Sequence, residues 1–174
     1  MVCSVAVVTD KVIPAEKLAA LGCAVLDEGD PMDGLVPGGE ISDGRPVIVG
    51  FGPCGMFAAF ILAEMGYRPI VIERGDHVLA RAAKVRHFLS TGELDTETNI
   101  QFGAGGAGTF SDGKLVTRIN DRRCRYVLER FAQFGAPREI LMNAKPHIGT
   151  DRLLGVVAGI DSRIRELGGE IRYN

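Results

Sequence analysis

Gly50-Phe51-Gly52-Pro53-Cys54-Gly55 stands between Val47-Ile48-Val49 and the apolar run from Met56 to Ala63, a placement that few folds satisfy. The three β-branched residues read as a short strand buried on both faces, as in parallel sheets. Pro53 to Met65 is almost wholly apolar or small and stops at Gly66, which reads as a helix lying tightly on that sheet. Pro69-Ile70-Val71-Ile72 supplies a second buried strand, ending at Glu73. Strand, helix and strand with such short links make a right-handed βαβ unit. A GxGxxG alone is a weak signal, but between a strand and a helix it is a specific one for dinucleotides. Gly50 permits the tight turn, Gly52 carries no Cβ to block a diphosphate, and Gly55 lets the helix approach the sheet. The unpaired N–H groups of the first helical turn, Cys54 included, and the helix dipole attract the anion, while Pro53, which has no N–H, opens the turn. Glu73, 18 residues beyond Gly55, stands where a carboxylate accepts the hydroxyls of a ribose. The plainer reading of the same loop is a structural turn, and of Cys54 a small space-filling thiol. Arg74 reads as a surface charge, a stacking partner for adenine, or the residue that answers a 2′-phosphate if the nucleotide is NADP.

Before this unit, Val2 to Val8 is apolar but too short to cross a membrane, and no basic stretch precedes it as in a signal peptide. Pro14 to Leu21 reads as a two-turn helix and Cys23 to Leu26 as a strand. Asp27 to Gly44 is acidic, Gly-rich and Pro-containing, the composition of a linker. The expected organisation is therefore a short N-terminal segment with linker, residues 1–44, and an α/β domain, residues 45–174. After Glu73, Asp76 to Leu89 reads as an amphipathic helix with Asp76 as its N-cap. Ser90 to Gly113 reads as a loop, and one that long inside a compact domain is normally functional. Arg122 to Phe134 is a further helix, stopped by Gly135-Ala136-Pro137. Leu153, Val157, Ile160, Ile164 and Leu167 step by 4, 3, 4 and 3, a helix face, with Thr150 as its expected cap and Gly168-Gly169 as its end. Glu170 to Tyr173 begins another strand.

Charge and cysteines narrow the function classes. With 20 basic and 22 acidic side chains the formal charge is −2, so nothing steers the chain to nucleic acid or to an anionic membrane. Arg118, Arg122, Arg123 and Arg125 are interrupted by Asp121 and lack interleaved aromatics, which reads as a solvated helix face with phosphate contact as the other reading. The four cysteines and three histidines are scattered without the spacing of a zinc site or a disulfide framework, so no metal is expected and a reducing cytoplasm fits best.

A second glycine cluster follows the βαβ unit. Asn99-Ile100-Gln101-Phe102-Gly103-Ala104-Gly105-Gly106-Ala107-Gly108-Thr109-Phe110-Ser111-Asp112-Gly113-Lys114-Leu115 places five glycines in the eleven residues from 103 to 113. Such runs present backbone N–H groups in concave arrangements that hold anions. A flexible linker is the alternative, but it would be richer in serine and poorer in Phe102, Phe110 and Leu115.

Pro46 to Gly75, Asn99 to Leu115, Gly135-Ala136-Pro137 and Lys145-Pro146-His147-Ile148-Gly149-Thr150-Asp151 together resemble the FAD-dependent dehydrogenases, bacterial flavoproteins similar to the glutathione reductase superfamily. The resemblance covers residues 45–174. It implies a Rossmann-like FAD/NAD(P)-binding βαβ fold in which Gly50, Gly52, Pro53, Cys54 and Gly55 hold the ADP part of FAD and Glu73 its ribose. It also implies that Gly105, Gly106, Ala107, Gly108, Thr109, Ser111 and Asp112 lie near the pyrophosphate and flavin ring, with NAD(P)H as an electron donor. Members of that family are several hundred residues long, with a substrate domain and a return to the FAD domain. The resemblance therefore implies an incomplete fold here, the N-terminal part of a flavin-dependent oxidoreductase acting on an unknown small molecule. The alternatives are an NAD(P)-binding protein of the same fold, or a non-catalytic remnant. No acid–base group stands out; His147 and Asp112 are the polar candidates, each with a structural role as the plainer reading. A sheet with few strands leaves an edge uncovered, which favours self-association.

Overall fold

The computed structural model describes residues 7, 9–25, 32–38, 44–111, 113–115, 117–119, 121–143 and 145–174. The chain forms two compact units, Met1–Gly34 and Leu35–Asn174, which divide within the acidic Gly-rich stretch. In the first unit the helix α1 (Ala15–Ala20) begins after Pro14 and buries no residue. Cys23 to Val25, expected as part of a strand, form none and are exposed. A three-residue extended segment with no ladder to join has nothing to hold it. Leu26, and the Val2 to Val8 run apart from Val7, lie outside the described residues.

The second unit is a mixed α/β structure built on a small parallel sheet. Its strands are β1 (Val47–Val49), β2 (Ile70–Glu73) and β3 (Glu170–Tyr173), in the order β1-β2-β3. The helix α2 (Pro53–Glu64) links β1 to β2. Between β2 and β3 the chain forms α3 (Val78–Thr91), α4 (Arg122–Gln133) and α5 (Thr150–Glu166), with 3₁₀ turns at Ala107–Phe110 and Arg138–Leu141. Ile48, Val71 and Ile171 stand opposite one another across the three strands and so share one face of the sheet.

Packing explains why α2 is apolar all round. Met56, Ala59, Phe60 and Ala63 are buried at the i, i+3, i+4, i+7 spacing of one helical face. The neighbouring side meets other helices: Phe57 lies 5.6 Å from Phe131 of α4, and Phe60 lies edge-on to Phe134 at 5.7 Å. Removing one such phenyl ring from water contributes about 2–3 kcal/mol. The stripe expected on α5 is buried at Leu153, Val157, Ile160 and Ile164, with Val156 added.

Three sequence expectations are corrected here. Strands β1 and β2 are covered on one face only. Val71 is fully buried, whereas Val47, Val49 and Ile72 on the opposite face are 58%, 85% and 46% exposed. The strand order explains this. Each connection steps one strand further in the same direction, so its helices cover the face carrying Val71 and leave the other bare. The N-cap of α3 is His77, whose Nδ1 accepts from the Leu79 N–H at 3.3 Å, and not Asp76, whose carboxylate turns to Lys84 at 2.7 Å. The N-cap of α5 is Gly149 with no side-chain cap, so Thr150 is the first helical residue. At the other end of the sheet Arg45 bonds the Arg68 carbonyl at 2.7 Å and Glu170 at 3.0 Å, tying the start of β1 across to β3. Among the described residues no helix is long and apolar enough to cross a membrane.

Candidate functional site

The first glycine loop leaves β1 at its carboxyl end and is held by β2. The Gly50 N–H donates to the Ile72 carbonyl at 2.7 Å. Glu73 is 6% exposed, and its two carboxylate oxygens accept the Phe51 N–H at 2.6 Å and the Gly75 N–H at 2.8 Å. A carboxylate has about four acceptor sites, so each oxygen keeps one lone pair. Phe51 is wholly buried, and Gly52 then caps α2 in an extended conformation with no side-chain cap. Pro53 and Cys54 in the following turn are exposed. The first N–H groups of a helix have no intrahelical partner, and together they carry the positive end of the helix dipole. This turn is therefore suited to an anion.

The second glycine loop docks directly on the first. The Gly105 N–H donates to the Phe51 carbonyl at 2.8 Å, and the Ala104 N–H to the Asp76 carbonyl at 3.1 Å. Gly106 lies so close to α2 that an added Cβ would stand 2.9 Å from Pro53 Cδ. Its φ of +69° also favours glycine, so contact and backbone agree on that residue. The two clusters, fifty residues apart in sequence, thus share one surface at the start of α2.

Arg81, which sequence reasoning missed, holds this arrangement from below. The residue is fully buried on α3. Its guanidinium donates to the carbonyls of Asn99 at 2.9 Å, Ile100 at 2.9 Å, Gly103 at 3.2 Å, Ala104 at 2.7 Å and Gly106 at 2.8 Å. Phe110 covers the guanidinium, its ring centre 4.7 Å from Cζ. Burial lowers the pKa of Arg81 to about 10, with the negative charge of Glu73 acting in the opposite direction. A signal was present in the sequence: Val78, Arg81, Ala82 and Val85 share the buried face of α3, so a charge interrupts an apolar stripe.

The other expected site residues divide. Ala107 and Gly108 are exposed on the loop. Thr109 is instead turned inward: it is buried, its hydroxyl lacks a hydrogen-bond partner, and Gly105 lies against it. The Ser111 hydroxyl donates to the Gly108 carbonyl at 2.8 Å and so closes the 3₁₀ turn. Asp112 lies outside the described residues. Arg74 meets the second glycine cluster at Phe102. It pairs with Glu97 at 3.1 Å, donates to the Thr96 carbonyl and stacks 4.2 Å from the Phe102 ring centre. His147 is exposed and pairs with Lys114 in a short antiparallel bridge, which brings the Lys145–Asp151 motif beside the end of the second glycine cluster.

A second polar group sits at the carboxyl end of β3. Asp161 is 4% exposed on α5; it accepts from the Tyr173 hydroxyl and, at 2.6 Å, from Arg165 Nε. His77 Nε2 lies 3.9 Å from the same carboxylate, and Tyr173 stands opposite Glu73 in the ladder. Burial, and then the Asp161 hydrogen bond, hold the Tyr173 phenol far above its ordinary pKa. With both oxygens of Asp161 engaged, this group ties α5 to β3. Asp161→Ala is expected to lower stability by about 2 kcal/mol in thermal unfolding, since the Tyr173 hydroxyl loses its charged acceptor; an unchanged melting temperature would remove the tie.

No family model matches the chain. It is similar to a protein of Clostridium beijerinckii described as an uncharacterized protein, 52% identical over 143 residues, which is 82% of this chain and 27% of that protein. The chain thus spans about a quarter of the length of that relative.

Proposed function

We propose that the second unit is the ADP-binding portion of an FAD-dependent oxidoreductase with a Rossmann-like fold. The observation that carries this reading is the docking of Gly105 and Gly106 on Phe51 and Pro53, which joins two glycine loops at one helix N-terminus. A single loop of this kind holds a mononucleotide phosphate as readily as a dinucleotide; a second donor loop alongside suits a diphosphate with a further group attached. In this reading the first turn of α2 and the exposed side of the second loop bind the diphosphate. The lone pairs left on Glu73 accept ribose hydroxyls. When bound, the flavin supplies hydride and electron transfer, and the protein supplies binding, orientation and electrostatics. The substrate is a small molecule of unassigned class, with NAD(P)H as the electron donor. The free thiols of Cys23, Cys54 and Cys124 accord with a reducing cytoplasm. An NADP-binding alternative relies on Arg74, which the Glu97 pair and the Phe102 stack already engage.

The test is calorimetric titration of the purified chain with FAD, ADP and NADPH, together with its visible absorption. FAD and ADP are expected to bind and to raise the melting temperature, with flavin absorption retained after gel filtration. A folded, colourless chain that binds NADPH but neither FAD nor ADP would overturn the reading.

A further inference from the structure

We propose that Arg81 is a positioning residue for the anion: by fixing the carbonyl of Gly106 it aims the N–H of Ala107 at the diphosphate site. The inference rests on the diphosphate reading above. In a trans peptide the N–H points opposite the C=O, and the described residues contain no cis peptide bond. The Gly106 carbonyl points to Arg81 Nη1 at 2.8 Å. The Ala107 N–H on the same peptide therefore points away from Arg81, and Ala107 is exposed. Gly106 itself lies against Gly52 and Pro53, so this N–H emerges beside the first turn of α2. The neighbouring peptides serve differently. The Ala104 and Gly105 N–H groups are used internally, on Asp76 and Phe51, and anchor the loop.

One buried cation thus gathers five carbonyl oxygens on the protein side of the loop. Two of them are held twice, the Gly103 carbonyl also accepting the Gly106 N–H at 3.0 Å and the Gly106 carbonyl the Thr109 N–H at 3.2 Å, so the guanidinium and the 3₁₀ turn fix the Gly106–Ala107 peptide together. The guanidinium suits the task because its five donors spread in one plane, which an ammonium cannot reproduce. Its positive charge also lies beneath the site, close enough to Glu73 for the two charges to interact. Arg81 acts on the anion through the Gly106–Ala107 peptide and through its field, without touching it.

Amide hydrogen exchange of the full chain tests this with and without FAD. In the wild type without ligand, Ala104 and Gly105 are expected to be protected and Ala107 to exchange rapidly; saturation with FAD then slows Ala107 by at least about 10-fold. In Arg81→Lys without ligand, Ala104 and Gly105 are expected to lose protection by about 100-fold while Val71 keeps its own. FAD and ADP affinities in that variant fall by about 10-fold or more, as charge-assisted hydrogen bonds are lost. A role confined to stability would lower the melting temperature and leave the Ala107 response to FAD absent. Two results overturn the proposal: an Ala107 amide that exchanges as fast with FAD bound as without, or an Arg81→Lys loop as protected as the wild type. Should Arg81→Lys fail to fold, the wild-type Ala107 measurement decides. If the wild type binds no FAD, the flavin reading fails instead, and inorganic pyrophosphate replaces FAD as the probe of Ala107.

Discussion

Gly52→Val is expected to abolish FAD binding and leave the fold in place. Gly52 has φ −75° and ψ −178°, an extended conformation open to any residue. A Cβ built there meets nothing within 4 Å. The substitution therefore places its side chain in open space at the start of α2, against no part of the protein. That space is the proposed diphosphate site. An isopropyl group there would stand between the anion and the N–H groups of the first turn, and the stiff valine side chain has little freedom to swing aside. Loss of an N-cap glycine costs the helix about 1 kcal/mol at most. Affinity for FAD is expected to fall by 100-fold or more, an order-of-magnitude consequence of excluding a ligand group from its donors. The melting temperature moves by about 4 °C or less for a chain of this size. Calorimetric titration beside thermal unfolding separates the two effects. Undiminished FAD affinity would show that the loop is a structural turn and that the anion, if any, binds elsewhere.

Much of the local structure was legible because it rests on neighbours in sequence. The strand-loop-helix unit is visible in Val47 to Ala63, since β-branched residues, glycines and a twelve-residue apolar run each have a local cause. The stripe of α5 is visible for the same reason. Burial was less legible. Three apolar residues in β1 imply a strand meant for two covered faces, but cover depends on where the connecting helices run, which no residue of β1 encodes. The caps of α3 and α5 were misread because more than one polar or small residue stood near each end. Asp76 has the right chemistry for a cap, but Lys84, one helix face away, draws its carboxylate off at 2.7 Å.

Within the candidate site, the positions were legible and the supports were not. Gly50 to Gly55 and Gly103 to Gly108 announce themselves as donor loops, whereas nothing in either says that they touch. What joins them is long-range: the Gly105 N–H on Phe51, and Arg81 beneath. Arg81 and Asp161 are each a charge in an otherwise apolar helix face. Only partners from distant segments make such a burial tolerable. A charge on a buried stripe is thus the signal to seek first in a chain of this kind. Thr109 shows the reverse case, a polar residue in a glycine loop that faces the core.

Gly55→Ala is expected to have the opposite effect from Gly52→Val, a large loss of stability. A Cβ on Gly55 would overlap the carbonyl oxygen of Gly50 and would lie 3.1 Å from the Gly50 carbonyl carbon. Backbone, unlike the end of a flexible side chain, cannot turn aside. The Gly50 carbonyl belongs to the tight turn that leaves β1, and Gly50 N–H is bonded to Ile72. Relief therefore requires α2 to move outward from the sheet or the turn to open. An outward shift of α2 loosens the packing of Met56, Ala59, Phe60 and Ala63, all of them buried. Opening the turn breaks the Phe51 N–H bond to Glu73 and leaves a buried carboxylate oxygen without its donor. Overpacking against yielding side chains costs about 1–3 kcal/mol, and against backbone the upper end of that range or more is expected. The opposing gain, alanine over glycine inside a helix, is about 1 kcal/mol and does not offset it. At about 2–4 °C per kcal/mol, thermal unfolding is expected to fall by roughly 5–10 °C, with FAD binding lost only as the fold is lost. A Gly55→Ala chain that melts within 1 °C of the wild type would show that the turn yields freely, and the close approach of α2 to β1 would then set no requirement for glycine.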